Sequence, residues 1–261
     1  MVPAPDRWQL ALTVLAGDHR QAAAEFVTTA AALRGAGARL FEVIVGTPSP
    51  EYGGRVTFLT GEAEPDTVVR LAGLSGHPWG RPDWIGLRTD ADGSVRAKAY
   101  HRRPPLDTAL VHRGMPEVVR PVMAARSGQT IEVYAMVPGQ STWERFAPAA
   151  LAPLGCAPEP PGVTIVPRTS GFAVSVRHDA GVLSEITLFA TAHALRPDAE
   201  LAQEWVAGLG PEAVEQHRRQ VIAAATLGRV RGRRYRMLAW RYTGEGLVGR
   251  AVSIHAVDGA P

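Results

Sequence analysis

The chain has 261 residues, 46% of them hydrophobic and 20% charged, with a formal charge of +3, a composition that suits a globular protein with a sizeable core. No apolar run approaches the ~18 residues of a membrane span, no secretion-signal pattern opens the sequence, and the one cysteine, Cys156, excludes an internal disulfide and a cysteine zinc site. The basic residues are dispersed apart from Arg229-Val230-Arg231-Gly232-Arg233-Arg234, which has no aromatic platform beside it and reads as a solvated loop entering a strand rather than a nucleic-acid contact. The expectation is a cytoplasmic, monomeric, single-domain protein over residues 1–261, with neither nucleic acid nor membrane as a partner. Cys156 is expected to be buried filler.

Trp8 to Leu15 begins the ordered part. Asp18 is placed to cap a helix over His19–Leu33, which ends near Gly35 and Gly37. Arg39–Val45 reads as a strand, and Gly53-Gly54 opens its partner, Arg55–Thr60. Glu64-Pro65-Asp66 starts a short helix to about Ala72, with proline and acids in the first turn.

A hairpin follows over Asp83–His101, turned by Asp92-Gly93, two residues that tolerate the positive φ of tight hairpin turns. In its second strand Arg96, Lys98 and Tyr100 alternate with Ala97 and Ala99, so two cations and a phenol share one face. That face points either to bulk water or into a polar barrel interior. Lys98 is the only lysine in the chain, in a sequence that otherwise uses arginine throughout.

Residues Asp107–Ala125 read as a helix interrupted near Gly114-Met115-Pro116. Gln129–Val137 reads as a strand, Thr142–Leu154 as a helix, and Pro158, Pro160 and Pro161 as a stiff connector. Strands are expected over Val163–Pro167, Phe172–His178 and Leu183–Thr191, the last two joined by Asp179-Ala180-Gly181. A long helix over Asp198–Ala225 and a hairpin of Tyr235–Tyr242 and Leu247–His255 close the chain. Hairpins separated by helices are not doubly wound units, since consecutive strands turn back tightly. The fold class expected is therefore α+β: a closed antiparallel β-barrel of about ten strands ringed by helices, with repeated helix–strand–strand units. Closure removes exposed edges, and a barrel wider than eight strands has room for a ligand. A weak internal repeat supports equivalent strands: Asp179-Ala180-Gly181 followed by Glu185, Thr187 and Phe189 parallels Asp90–Gly93 followed by Arg96, Lys98 and Tyr100.

With these elements in place, the sequence resembles the aromatic prenyltransferases of the ABBA fold, over most of the chain from Arg39 to His255. The resemblance rests on Arg39-Leu40-Phe41-Glu42-Val43, on Glu64-Pro65-Asp66 with His77-Pro78, on Val95–Tyr100, on Thr130-Ile131-Glu132-Val133-Tyr134, and on Leu154-Gly155-Cys156 with Pro158. It lies in their order and spacing rather than in any one motif. The resemblance implies a ten-stranded barrel whose interior takes an allylic diphosphate and an aromatic small molecule. It also implies roles: Arg96, Lys98, Arg177 and Arg250 for the diphosphate, with Tyr100 and Tyr134 shielding the allylic cation. Glu42 is the nearest match to an early acid that, in the family, binds metal or orients the acceptor.

Two positions depart from the family pattern. Glu132 stands where an asparagine is usual, and Glu185 where an arginine is expected. Each puts a carboxylate where phosphate oxygens would go, which costs several kcal/mol unless a proton or cation intervenes. Magnesium would reconcile them, although no cofactor is required by the reading. Alternatively, Glu132 and Glu185 pair with Lys98, Arg250 or Arg177, and the barrel performs acid–base chemistry on a natural-product intermediate, with Glu132, Glu185 and Tyr134 as catalytic groups. Three functions follow: prenyl transfer, cyclisation or rearrangement on the same barrel, and binding without catalysis. His19, His112, His193 and His217 have no metal-ligand spacing and are expected mostly at the surface, and His255 is expected to be structural.

Overall fold

The computed structural model describes residues 6–16, 20–46, 52–71, 73, 79–90, 94–102, 120–137, 141–160, 171–191 and 211–257. Ten strands follow one another: β1 (Arg39–Gly46), β2 (Tyr52–Leu59), β3 (Trp84–Asp90), β4 (Val95–Arg102), β5 (Arg120–Ser127), β6 (Thr130–Met136), β7 (Phe172–Asp179), β8 (Val182–Thr191), β9 (Arg229–Thr243) and β10 (Gly246–Val257). Each lies beside its sequence neighbours, and β10 returns to β1, so the sheet closes as a barrel. The helices are α1 (Arg7–Ala16), α2 (Arg20–Gly35), α3 (Pro65–Leu71), α4 (Trp143–Leu151) and α5 (Pro211–Leu227). Among the described residues no helix is long and apolar enough to cross a membrane.

About ten strands were expected and ten are found among the described residues, but one differs. Arg120–Ser127, read from sequence as the end of a helix, is β5 and pairs antiparallel with β6, from Ser127 opposite Thr130 to Arg120 opposite Met136. Its Met-Ala-Ala-Arg composition favours helix weakly, and the ladder with β6 overrides it. The strand expected at Val163–Pro167 lies outside the described residues, as do the Asp92-Gly93 turn and Asp18. The arginine-rich run is not a loop: β9 starts at Arg229. The final helix runs Pro211–Leu227, and 198–210 of its expected span lie outside the described residues.

The chain divides into two compact units. The first comprises residues 1–99, 210–234 and 253–261. Here α1 packs on α2, α5 and β2, α2 packs on β3 and α3, and α5 packs on β1. Leu12, Leu15, Phe26 and Leu33 from the helices, with Leu40, Val43, Val56, Phe58, Ile85 and Leu87 from the strands, are fully buried. The Thr89 hydroxyl donates to the Ala16 carbonyl at 3.0 Å, satisfying a group that the end of α1 leaves without an intrahelical partner.

The second unit comprises residues 100–209 and 235–252. The turn between β7 and β8 places Ala180 at φ 50° and Gly181 at φ 84°, both in the left-handed region that a tight hairpin demands. Val174, Val176, Ile186, Leu188, Leu238, Trp240 and Tyr242 form a buried apolar face on β7, β8 and β9. Helix α4 covers that face through Trp143 and Phe146. The Phe146 ring stacks on Phe172 at 5.6 Å between centroids, and Trp143 meets Phe172 edge-on at 5.9 Å and Trp240 at 4.7 Å. Past α4, a short 3-10 turn (Ala152–Leu154) ends on Gly155 at φ 67°. The connector beyond is strapped down by Glu159, whose N–H donates to the Tyr242 hydroxyl at 3.1 Å and whose carboxylate accepts from Arg250. Cys156 is half-buried there, with Sγ 3.0 Å from the Thr243 carbonyl.

Phe172 is 1% exposed and is the ring on which α4 seats both of its aromatics. Phe172→Ala is expected to destabilise the protein by about 3–5 kcal/mol, seen as a lower urea midpoint with an unchanged slope.

Candidate functional site

Strand alternation assigns the other face of β6–β9. Register sets Glu132 opposite Arg177 and Arg177 opposite Glu185, and one step along it sets Tyr134 opposite Ser175, Ser175 opposite Thr187, and Thr187 opposite Arg241. Direct cross-strand partners share a face, so these seven side chains lie on the surface turned away from α4. In a closed barrel that surface is the interior. It is polar yet dry: Ser175 is 1%, Thr187 5%, Glu132 6% and Glu185 8% exposed.

Carboxylates and guanidiniums form the lower layer of this face. The Ser175 hydroxyl donates to Glu132 Oε1 at 2.5 Å. Glu185 is held from three sides: Arg241 donates to Oε2 at 2.6 Å, an Arg177 terminal nitrogen stands 4.0 Å from the same oxygen, and the Thr187 hydroxyl donates to Oε1 at 3.3 Å. Arg177 also gives Nε and a terminal N–H to Asp179 Oδ1, each at 3.2 Å, and Thr130 donates to that oxygen at 2.5 Å. Burial works against the charge on Arg177, but Glu185, Asp179 and Glu132 together hold its pKa above the ordinary arginine value. For Asp179 burial is likewise outweighed, by hydrogen bonds from Ser184 and Thr130 and by Arg177, and its pKa sits below the usual carboxylate range. A bulge at Ser184 permits this arrangement. Arg177 pairs with Glu185 and His178 with Leu183, so the extra residue keeps the carboxylate facing the arginines.

An aromatic row lies above. Tyr134 is two residues from Glu132 on the same face of β6, and its ring centroid is 6.0 Å from Tyr100 of β4 and 6.1 Å from Phe189 of β8. Tyr100 is 6% exposed. Along β4 exposure falls from Arg96, which is exposed, through half-buried Lys98, to buried Tyr100. Of the residues singled out from sequence, the structure thus brings together Glu132, Tyr134, Arg177, Glu185 and Tyr100. Arg250 is engaged by Glu159 of the connector instead.

Arg241, Ser175, Thr187 and Phe189 join the site without having been assigned a role from sequence. The signal for Arg241 was present: Leu238, Trp240 and Tyr242 form an apolar stripe of period two, which places Arg241 on the opposite face. Its guanidinium lies over Gly249, where a Cβ would come within 3.7 Å of it. Among the described residues no group of three or more His, Cys, Asp or Glu is placed to hold a metal ion. His217, expected at the surface, is buried on α5, and burial pushes its pKa down. His19, His112, His193 and the side chain of His255 lie outside the described residues.

In the first unit, a further, half-buried acid is placed by another bulge. Leu40 pairs with Phe58 and Glu42 with Thr57, so Phe41 is the extra residue and Glu42 leaves the apolar face of Leu40 and Val43. The Ser253 hydroxyl donates to Glu42 Oε1. Burial raises the Glu42 pKa, and the Ser253 bond and the charge of Arg55 offset this only in part. A carboxyl whose pKa is raised by folding supports the fold when protonated, below about pH 4.5, and that support is lost as pH rises through the folded value. At neutral pH holding this carboxyl in the fold is a net cost. Glu42→Gln keeps the Ser253 bond without the charge, so it is expected to raise the melting temperature at pH 8, with the gain shrinking toward pH 4.

Neither a scan of family models nor a search of curated sequences matched the chain. Solved structures do match. The prenyltransferase PriB, in a binary complex with product diphosphate, aligns over 97% of this chain and 96% of its own at a TM-score of 0.64 and 15% identity. The 6-dimethylallyltryptophan synthase from Micromonospora olivasterospora, solved with DMASPP and Trp, aligns over 97% and 98% at 0.58 and 14%. The 5-dimethylallyl tryptophan synthase from Streptomyces coelicolor, with the same two ligands, aligns over 95% and 92% at 0.57 and 13%. At such identities the likeness concerns architecture, and the architecture is plain: this chain has the closed ten-stranded barrel fold of the ABBA prenyltransferases.

Proposed function

We propose that the barrel is an enzyme that transfers a prenyl group from an allylic diphosphate to an aromatic small molecule. The observation that supports it best is the row Tyr100–Tyr134–Phe189 on a buried inner face, in a fold shared with enzymes solved with an allylic diphosphate analogue and tryptophan. Aromatic faces suit both an aromatic acceptor and an allylic cation. In this reading the carbon–oxygen bond of the donor breaks and its electron pair leaves with pyrophosphate. A ring π pair of the acceptor forms the new carbon–carbon bond, and a carboxylate removes the proton left on that ring carbon. Lys98, on the same face of β4 as Tyr100, is assigned to the leaving group, with Tyr100 and Tyr134 as the cation shield. Glu132 is assigned as the base. Arg96, exposed on β4, and Arg177 are assigned to the donor side. Magnesium, if required, would enter with the diphosphate.

A second reading is favoured by one specific observation: Glu185 already occupies Arg241 and Arg177. In that reading no diphosphate enters, and Glu132 and Glu185 drive a cyclisation or rearrangement by proton transfer.

The readings separate on binding and on two variants. Dimethylallyl diphosphate at 100 to 1,000 times its dissociation constant is expected to stabilise the protein by ~3–4 kcal/mol in thermal melts. With tryptophan, tyrosine or a phenol as acceptor, product carrying one isoprene unit is expected by mass spectrometry. Lys98→Ala is expected to abolish that turnover. Absence of any thermal shift, with or without magnesium, together with a larger loss from Glu132→Gln than from Lys98→Ala on an intermediate-sized substrate, would establish the second reading.

A further inference from the structure

We infer that Glu185 is an internal stand-in for a phosphate oxygen, and that it sets how tightly the barrel holds the diphosphate of its donor. The inference rests on the prenyl-transfer reading and goes beyond it, because it concerns a residue pair that prenyl transfer alone does not require.

The geometry is specific. Strand β8 runs between β7 and β9, so Glu185 has an arginine on either side. Arg241 and Arg177 direct their terminal nitrogens at the same atom, Oε2, from 2.6 Å and 4.0 Å. One anionic oxygen between two guanidiniums is how these side chains receive a phosphate oxygen. The Thr187 hydroxyl completes the cradle on the other carboxylate oxygen. Both arginine side chains are largely covered, at 22% and 17% exposed, so their charge is screened little by water. Asp179 accounts for part of the Arg177 contact, and the Arg241 contact with Glu185 is the shorter of the two. A diphosphate approaching this cradle meets a like charge that already fills it. It must either displace the carboxylate or bind beside it.

Removing the negative charge should therefore open the cradle. Inorganic pyrophosphate is the probe, measured by titration calorimetry on the full chain. Glu185→Gln is expected to bind pyrophosphate at least tenfold more tightly than the wild type. The double variant Glu185→Gln with Arg241→Gln is expected to lose that gain. Glu185→Ser serves the same purpose should the amide variant fail to melt cooperatively. Pyrophosphate affinity in a folded Glu185→Gln or Glu185→Ser variant that equals or falls below the wild type overturns the inference. Gain that survives the loss of Arg241 overturns it as well. The test is distinct from that of the parent reading. Wild-type protein that binds dimethylallyl diphosphate and turns it over, with no gain on removing Glu185, leaves prenyl transfer standing and this inference refuted. Gain in the variants with no wild-type turnover does the reverse.

Discussion

A carboxylate withdrawn from water must find a cation or a hydrogen-bond donor close by, or it will not stay charged. The polar face of β6–β9 is arranged around that requirement. Glu132 has Ser175 and the charge of Arg177 near it, and Glu185 has Arg241, Arg177 and Thr187. Each partner comes from a neighbouring strand or from the next inward position on the same strand. Register, not loop conformation, thus fixes the contacts, and a slip of one residue would send every one of these groups to the face packed by α4. The apolar and polar faces are two consequences of one alternation.

Bulges are where the alternation is edited. Phe41, Val122 and Ser184 are each the extra residue where the register of their ladders shifts. Phe41 moves Glu42 off the face of Leu40, and Ser184 keeps Glu185 toward Arg177. Both acids therefore sit one residue from a break in regular pairing. Bulges concentrate next to functional sites for this reason: one inserted residue re-aims a side chain without moving the strand.

Much of this was legible in the sequence. The paired strands separated by helical stretches led to a closed barrel, because tight hairpins leave a meander and a meander of ten strands avoids edges by closing. The alternation at Arg96, Lys98 and Tyr100 put these three on one face, and the parallel with Glu185, Thr187 and Phe189 marked β8 as an equivalent strand. What was hidden depended on partners distant in sequence. Arg120–Ser127 lacks β-branched residues after Val122, and its place between β4 and β6 makes it a strand. The face taken by Glu42 cannot be read from a strict period of two, since the bulge at Phe41 is set by pairing with Phe58 and Thr57. Arg241 was legible in principle, but the stripe around it draws the eye to Trp240 and Tyr242.

The hairpin between β7 and β8 couples a turn to the interior. Asp179 closes the last rung of β7 against Thr130 and Val182, and the same carboxylate oxygen steadies Arg177. The residue after it, Ala180, holds a backbone conformation that L side chains other than asparagine and aspartate seldom adopt. Changes at this solvent-facing tip are therefore not silent. Relaxing or reshaping it alters where Asp179 stands, and hence how firmly the Arg177 guanidinium is aimed, so the bearing of an inward arginine is set in part from the outside of the barrel.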